Sequence, residues 1–214
     1  MLWKAMKEDR MAAPARALSG DMLIDEFLGF LKHRPKEEYW QLVEGVAVMM
    51  NPPTMAHQVI ALNLRDLLKE ALRVQELDVF VVNEIGVRVP GVTNFLPRPD
   101  VVVVPGIASY QVYADRFLLV AEVLSPSNTK SLIAQKVRRY KQHPDNLYCL
   151  VIDSRRAWLQ MHARRTDWEP ITLNNPASTL EMPEFGLRCS LGDLYRHTPL
   201  DPAQSAGDRR LRSR

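Results

Sequence analysis

Pro99-Asp100-Val101-Val102-Val103-Val104 and Phe117-Leu118-Leu119-Val120-Ala121-Glu122-Val123-Leu124 decide how this chain is read. Each is an apolar run of strand length with one carboxylate set into it. A carboxylate buried alone is costly, so each acid has to be solvated or paired. The two stand 22 residues apart on strands able to pair, which suggests a shared partner. A hard divalent cation suits two carboxylate oxygens, so a metal-dependent hydrolytic site is the leading reading.

The segment that follows adds a cation. Ser125-Pro126-Ser127-Asn128-Thr129 is a cluster of capping and turn residues that launches a helix over about 129–143. Leu132, Ile133, Val137 and Tyr140 form its inward stripe, and Lys136 lies in the middle of that stripe. An inward ammonium needs a partner. The Asp100 and Glu122 carboxylates, or a phosphate they help to hold, supply one, and Tyr140 is placed to hydrogen-bond in the same site. Phosphodiester hydrolysis uses this inventory: carboxylates hold Mg²⁺, which activates water, and a lysine orients that water or meets the developing charge. The bland reading of the same residues is a buried Asp-Lys-Glu network without turnover.

Outward from this centre, Leu23, Ile24, Phe27, Leu28 and Leu31 predict a short amphipathic helix. Residues 39–50 predict two strands around Glu44-Gly45, forming an N-terminal β-hairpin extension. A long helix is expected over 54–73, with Ile60, Leu64, Leu67, Leu68 and Ala71 inward and His57 extending the stripe. The run 78–90 is apolar on both faces and predicts a central, doubly covered strand. Leu147 to Asp153 predicts a buried strand, and 157–163 its hairpin partner. Short strands and turns fill 166–198. The reading is one α/β domain over 21–198, a mixed β-sheet flanked by helices, with a flexible lead-in over 1–20 and a disordered basic tail over 199–214.

Composition sets few limits. A chain of 214 residues that is 46% apolar has ample core. A net charge of +3 neither requires nor excludes nucleic acid. Cys149 and Cys189 have no CxxC spacing and read as buried thiols in a reducing compartment. No apolar run approaches the ~20 residues of a membrane span, so the expected setting is cytoplasmic, without a membrane partner. No Walker loop, dinucleotide turn, GxSxG elbow or HExxH helix is present, and no organic cofactor is expected.

Pro99-Asp100, Glu122-Val123-Leu124-Ser125-Pro126-Ser127 and Lys136-x-x-x-Tyr140 together resemble the bacterial "putative restriction endonuclease" family, a branch of the PD-(D/E)xK nuclease superfamily. Leu42-Val43-Glu44-Gly45, Met50 with Pro52-Pro53, His57-Gln58, Val151-Ile152-Asp153, Phe185-Gly186-Leu187 and Leu191-Gly192-Asp193-Leu194-Tyr195 extend the likeness over about 23–195. The resemblance implies a restriction-endonuclease-like core. It also implies Asp100 and Glu122 as metal ligands and Lys136 as the catalytic lysine; oxygen ligands from Asp100, Glu122 and the Val123 carbonyl suit Mg²⁺ or Mn²⁺. In the superfamily that lysine stands two residues after the Glu; here that position is Leu124, and Lys136 on the next helix takes its place.

Auxiliary candidates are His57, Tyr140, Glu44 and Glu84. The chain departs from the family pattern at Gln41, Val46 and Leu132, where acids are frequent. The implied activity is a metal-dependent endonuclease acting on DNA. Cutting both strands with one site per chain favours a two-fold homodimer, with the 157–173 hairpin region and Trp158 and Trp168 as the candidate surface. The alternative is a catalytically degenerate nuclease fold that binds nucleic acid or protein.

Overall fold

The computed structural model describes residues 17–18, 20–108, 110–125 and 128–203. The expected lead-in and basic tail fall mostly outside the described residues. In chain order the first elements are β1 (Ala17–Leu18), α1 (Ile24–Leu31), β2 (Tyr39–Val43), β3 (Val46–Met50) and α2 (Met55–Val74). Next come β4 (Val79–Asn83), β5 (Gly86–Val87), β6 (Val101–Pro105), β7 (Tyr113–Ala114), β8 (Leu119–Leu124) and α3 (Lys130–Tyr140). The chain continues through β9 (Tyr148–Asp153), β10 (Leu159–Ala163), β11 (Pro170–Leu173), β12 (Thr179–Met182), β13 (Leu187–Ser190) and α4 (Leu191–Leu194).

The centre is a six-stranded sheet in the order β11-β10-β9-β8-β6-β4. Only β8 and β9 run parallel, because α3 carries the chain back between them; the other pairings are antiparallel. One face packs on α2 through Ile60, Leu64, Leu68 and Leu72, against Val101, Val103, Leu119, Ala121, Leu150 and Ile152. The opposite face packs on α3, where Ile133, Val137 and Tyr140 meet Val102, Val120, Cys149 and Val151. The two valine sets of β6 thus serve two cores, which is why that strand has no polar face.

The N-terminal extension is the hairpin β2–β3, joined on its outer side by β1, which pairs with β3. Its turn places both Glu44 (φ 49°) and Gly45 (φ 76°) in the left-handed region, as a tight two-residue hairpin requires. Leu42 and Leu96 bridge this hairpin to the loop before β6, exchanging backbone hydrogen bonds of 2.8 and 3.1 Å.

The expectation of one central strand over 78–90 is corrected. The strand stops at Asn83, because Glu84 takes φ 53° and turns the chain. Gly86–Val87 then pairs with Tyr113–Ala114 in a separate two-stranded ribbon. β4 itself is an edge strand. Its two apolar faces reflect two cores: Val79 and Val81 lie against one, Val82 against the other.

Candidate active site

β6 and β8 are interior neighbours of the sheet, so the site lies mid-sheet and not at its edge. The β6–β8 register brings Asp100, just before β6, beside the middle of β8: the Asp100 amide donates to the Ala121 carbonyl at 3.0 Å. Glu122 shares the α3 face of the sheet with Val120, where the inward stripe of α3 meets it. Thr129 caps that helix by accepting the Leu132 N–H at 3.2 Å. The Asn128 side chain holds the preceding turn by accepting the Ser125 N–H at 2.7 Å.

Lys136 is 1% exposed, and its ammonium donates to Glu122 Oε2 at 2.6 Å. The Tyr140 hydroxyl, one turn on, donates to Glu122 Oε1 at 2.5 Å. The buried lysine therefore has the partner that its place on the stripe demanded. Burial pushes the Glu122 carboxyl above its usual range, with Lys136 opposing and Asp100 reinforcing the rise. Tyr140 is driven well above the ordinary phenol value, first by burial and then by the Glu122 charge.

Asp100 is held from two directions. The Val123 N–H donates to Oδ2 at 2.6 Å, and His57 Nε2 lies 2.9 Å from Oδ1. His57 sits in the first turn of α2, where Thr54 caps the helix through the His57 N–H. The stripe Leu68, Leu64, Ile60 packs on the sheet; one turn earlier it has run past the sheet and reaches Asp100. Burial disfavours the imidazolium, but the hydrogen bond to Asp100 and the charges of Asp100, Glu122 and Glu84 outweigh it and raise the His57 pKa. Its Nδ1 is buried without a hydrogen-bond partner.

Asp100, Glu122, Lys136, His57, Val123 and Glu84 line one cavity of about 60 Å³. That is space for a few water-sized ligands. Glu84, an auxiliary candidate within the expected 78–90 strand, is not a buried strand residue. It is an exposed turn residue whose N–H donates to the Asp100 carbonyl at 3.3 Å, while Arg88 stacks on the Tyr113 ring. Glu44 stands apart from the cavity: its carboxylate meets Arg139 at 2.6 Å and Arg138 at 3.2 Å on α3. Tyr140 stands behind Glu122 and does not line the cavity. Gln41 does line it; its signal in the sequence is a single amide between the apolar residues Trp40 and Leu42.

Two buried carboxylates facing one cavity are hard oxygen ligands, and each oxygen already holding a hydrogen bond keeps further lone-pair capacity. Among the described residues no group of three His, Cys, Asp or Glu is gathered for a metal. The set fits an ion that keeps several waters, as Mg²⁺ does, and does not fit a closed zinc site. Neither cysteine lines the cavity, and burial pushes both thiols up to about 12.

A mixed sheet with helices on both faces, with Asp100 and Glu122 at its central strands and Lys136 reaching Glu122 from α3, is the architecture of a restriction-endonuclease-like, nuclease-type domain. The chain belongs to the family described as "Putative restriction endonuclease", which matches residues 24–192. Among solved structures it is similar to a "putative nuclease" from Anabaena variabilis, at 18% identity and a TM-score of 0.66. That likeness, which is one of fold, covers 81% of this chain and 97% of the other. No curated protein matches. No helix among the described residues is long and apolar enough to cross a membrane.

Proposed function

We propose that this protein is a metal-dependent endonuclease that hydrolyses phosphodiester bonds in DNA. The observation that carries the reading is the meeting of Asp100, Glu122 and Lys136 in one cavity, with the lysine 2.6 Å from the glutamate. Asp100, Glu122 and the Val123 carbonyl are the proposed ligands of Mg²⁺ or Mn²⁺. When bound, that ion polarises the phosphate and lowers the pKa of a ligated water.

The chain's own groups prepare this chemistry. Lys136 is held by Glu122 with its remaining N–H donors free to orient water or meet negative charge on the phosphate. Tyr140 fixes the second Glu122 oxygen, so that carboxylate has one orientation. His57 and the Val123 amide fix Asp100 in the same way. His57 and Tyr140 are positioning residues in this scheme, and Glu84 is a carboxylate at the mouth. Glu44 acts only by tying the hairpin to α3.

The second reading, a degenerate domain that binds nucleic acid or protein without cleaving, is favoured by one observation. Both oxygens of both carboxylates already have protein partners, as in a self-satisfied ionic cluster. Nicking of supercoiled plasmid DNA with Mg²⁺ or Mn²⁺ separates the two. The wild type is expected to nick and Asp100→Ala to lose at least a hundredfold in rate. Equal traces of nicking in both proteins, or none, would leave the binding reading standing.

A further inference from the structure

Gln41 is 3% exposed, lines the same cavity as the two acids, and its side-chain carbonyl oxygen is buried without a hydrogen-bond partner. It stands on β2, paired with Val48, between Trp40 and Leu42, which turn the other way into the hairpin's own core. Its neighbour on the same face, Val43, packs on the α3 side of the sheet. The strand's alternation therefore aims one amide toward the acids, where an apolar residue would fill the space at no polar cost. Buried carbonyl oxygens are normally satisfied, and an orphan that faces a small polar cavity has room there for a hydrogen-bond donor or a cation. The nearby donors Lys136, Tyr140, His57 and the Val123 amide bond Glu122 and Asp100, and none of them hydrogen-bonds the Gln41 oxygen.

We infer that the Gln41 side-chain oxygen is a third side-chain ligand, neutral in charge, of the divalent cation held by Asp100 and Glu122. The inference rests on the metal-dependent reading above. A neutral amide oxygen is a normal ligand for Mg²⁺ or Mn²⁺, and it keeps the ligand set at two negative charges instead of three. Affinity at oxygen sites follows the charge count of the ligands, so Gln41 makes this a weaker site than a third carboxylate would.

The test is Mn²⁺ binding without DNA, measured by calorimetry and by the loss of the free-ion paramagnetic signal. The proteins compared are the wild type, Gln41→Met, Gln41→Glu and Asp100→Asn, each checked for folding by circular dichroism. Gln41→Met is expected to raise the Kd at least tenfold and Gln41→Glu to lower it at least tenfold. If Gln41→Met binds as the wild type does while Asp100→Asn loses the ion, the Gln41 assignment falls and the two-acid site stands. If Asp100→Asn also binds unchanged, or the wild type binds no Mn²⁺, both fall. Should the methionine protein fail to fold, the glutamate protein decides: an unchanged Kd overturns the assignment.

Discussion

Replacing Lys136 by methionine removes the ammonium that faces Glu122 and leaves a carboxylate wholly inside the protein with Tyr140 as its remaining donor. Breaking a buried pair from one side commonly costs about 3–5 kcal/mol. Here the cost depends on pH. The Glu122 carboxyl titrates above its ordinary value, and without Lys136 it rises further. A group whose folded pKa is raised contributes stability that is present below the unfolded value and lost as pH rises through the folded one. Lys136→Met is therefore expected to fold, to be inactive, and to lose about 3 kcal/mol against the wild type at pH 8 but less at pH 5. Urea titrations at the two pH values check this, and the double change Lys136→Met with Glu122→Gln should recover most of the loss. At the same scale, Glu122→Gln should weaken Mn²⁺ binding at least tenfold in calorimetry. Equal binding by both proteins would move the metal elsewhere.

At the scale of elements, the hairpin β2–β3 and helix α3 are the two parts that must keep their distance for Gln41 to face Glu122. Glu44 joins them. It pairs with Arg139 and Arg138, and the Arg139 hydrogen bond holds its carboxyl below the usual range. A lowered pKa gives stability that is present above the unfolded value and lost as pH falls through the folded one. Glu44→Gln is expected to cost about 1 kcal/mol at pH 7, the scale of a partly exposed ion pair. The difference from the wild type should close as pH drops below the ordinary carboxylate range. Thermal melts over that range provide the measurement; a gap that persists at low pH would assign the effect to packing. The pairing also explains how a glutamate is tolerated at φ 49°, a conformation that suits glycine or asparagine better.

At the scale of the whole molecule, one site per chain cuts one strand, and a two-fold pair of chains matches the near two-fold symmetry of a duplex. We therefore expect a homodimer, read as a dimer mass in sedimentation equilibrium at micromolar concentration. The surface expected from the sequence is the 157–173 region. There β11 forms the outer strand of the sheet, with Ile171 at 39% exposure and Pro170 at its start. Proline suits an edge strand because it has no N–H to donate. Trp158 and Trp168 are only partly buried, each with an arginine over its ring, Arg156 at 5.2 Å and Arg164 at 5.1 Å. Ile171→Arg should shift the dimer toward monomer; a wild type that sediments only as monomer would remove the two-site scheme.

Sequence by itself determined the features that depend on local pattern. Spacing along Leu132–Tyr140 put Lys136 on an inward stripe, and the cost of an unpaired buried ammonium required an acid opposite it. Runs of valine with one carboxylate each marked β6 and β8, and Glu44-Gly45 marked a hairpin turn. His57 was placed on the α2 stripe by the same helical period. What only the tertiary structure decided is where these patterns end and what they face. Nothing local separates a central strand from an edge strand with two cores beside it, so the pattern over 78–90 is that of one strand although Glu84 turns the chain. The pairing of Glu44 with Arg139, 95 residues away, has no sequence signature. Nor does the unsatisfied oxygen of Gln41, because whether a buried amide has a partner depends on atoms from β2, β6, β8, α2 and α3 at once.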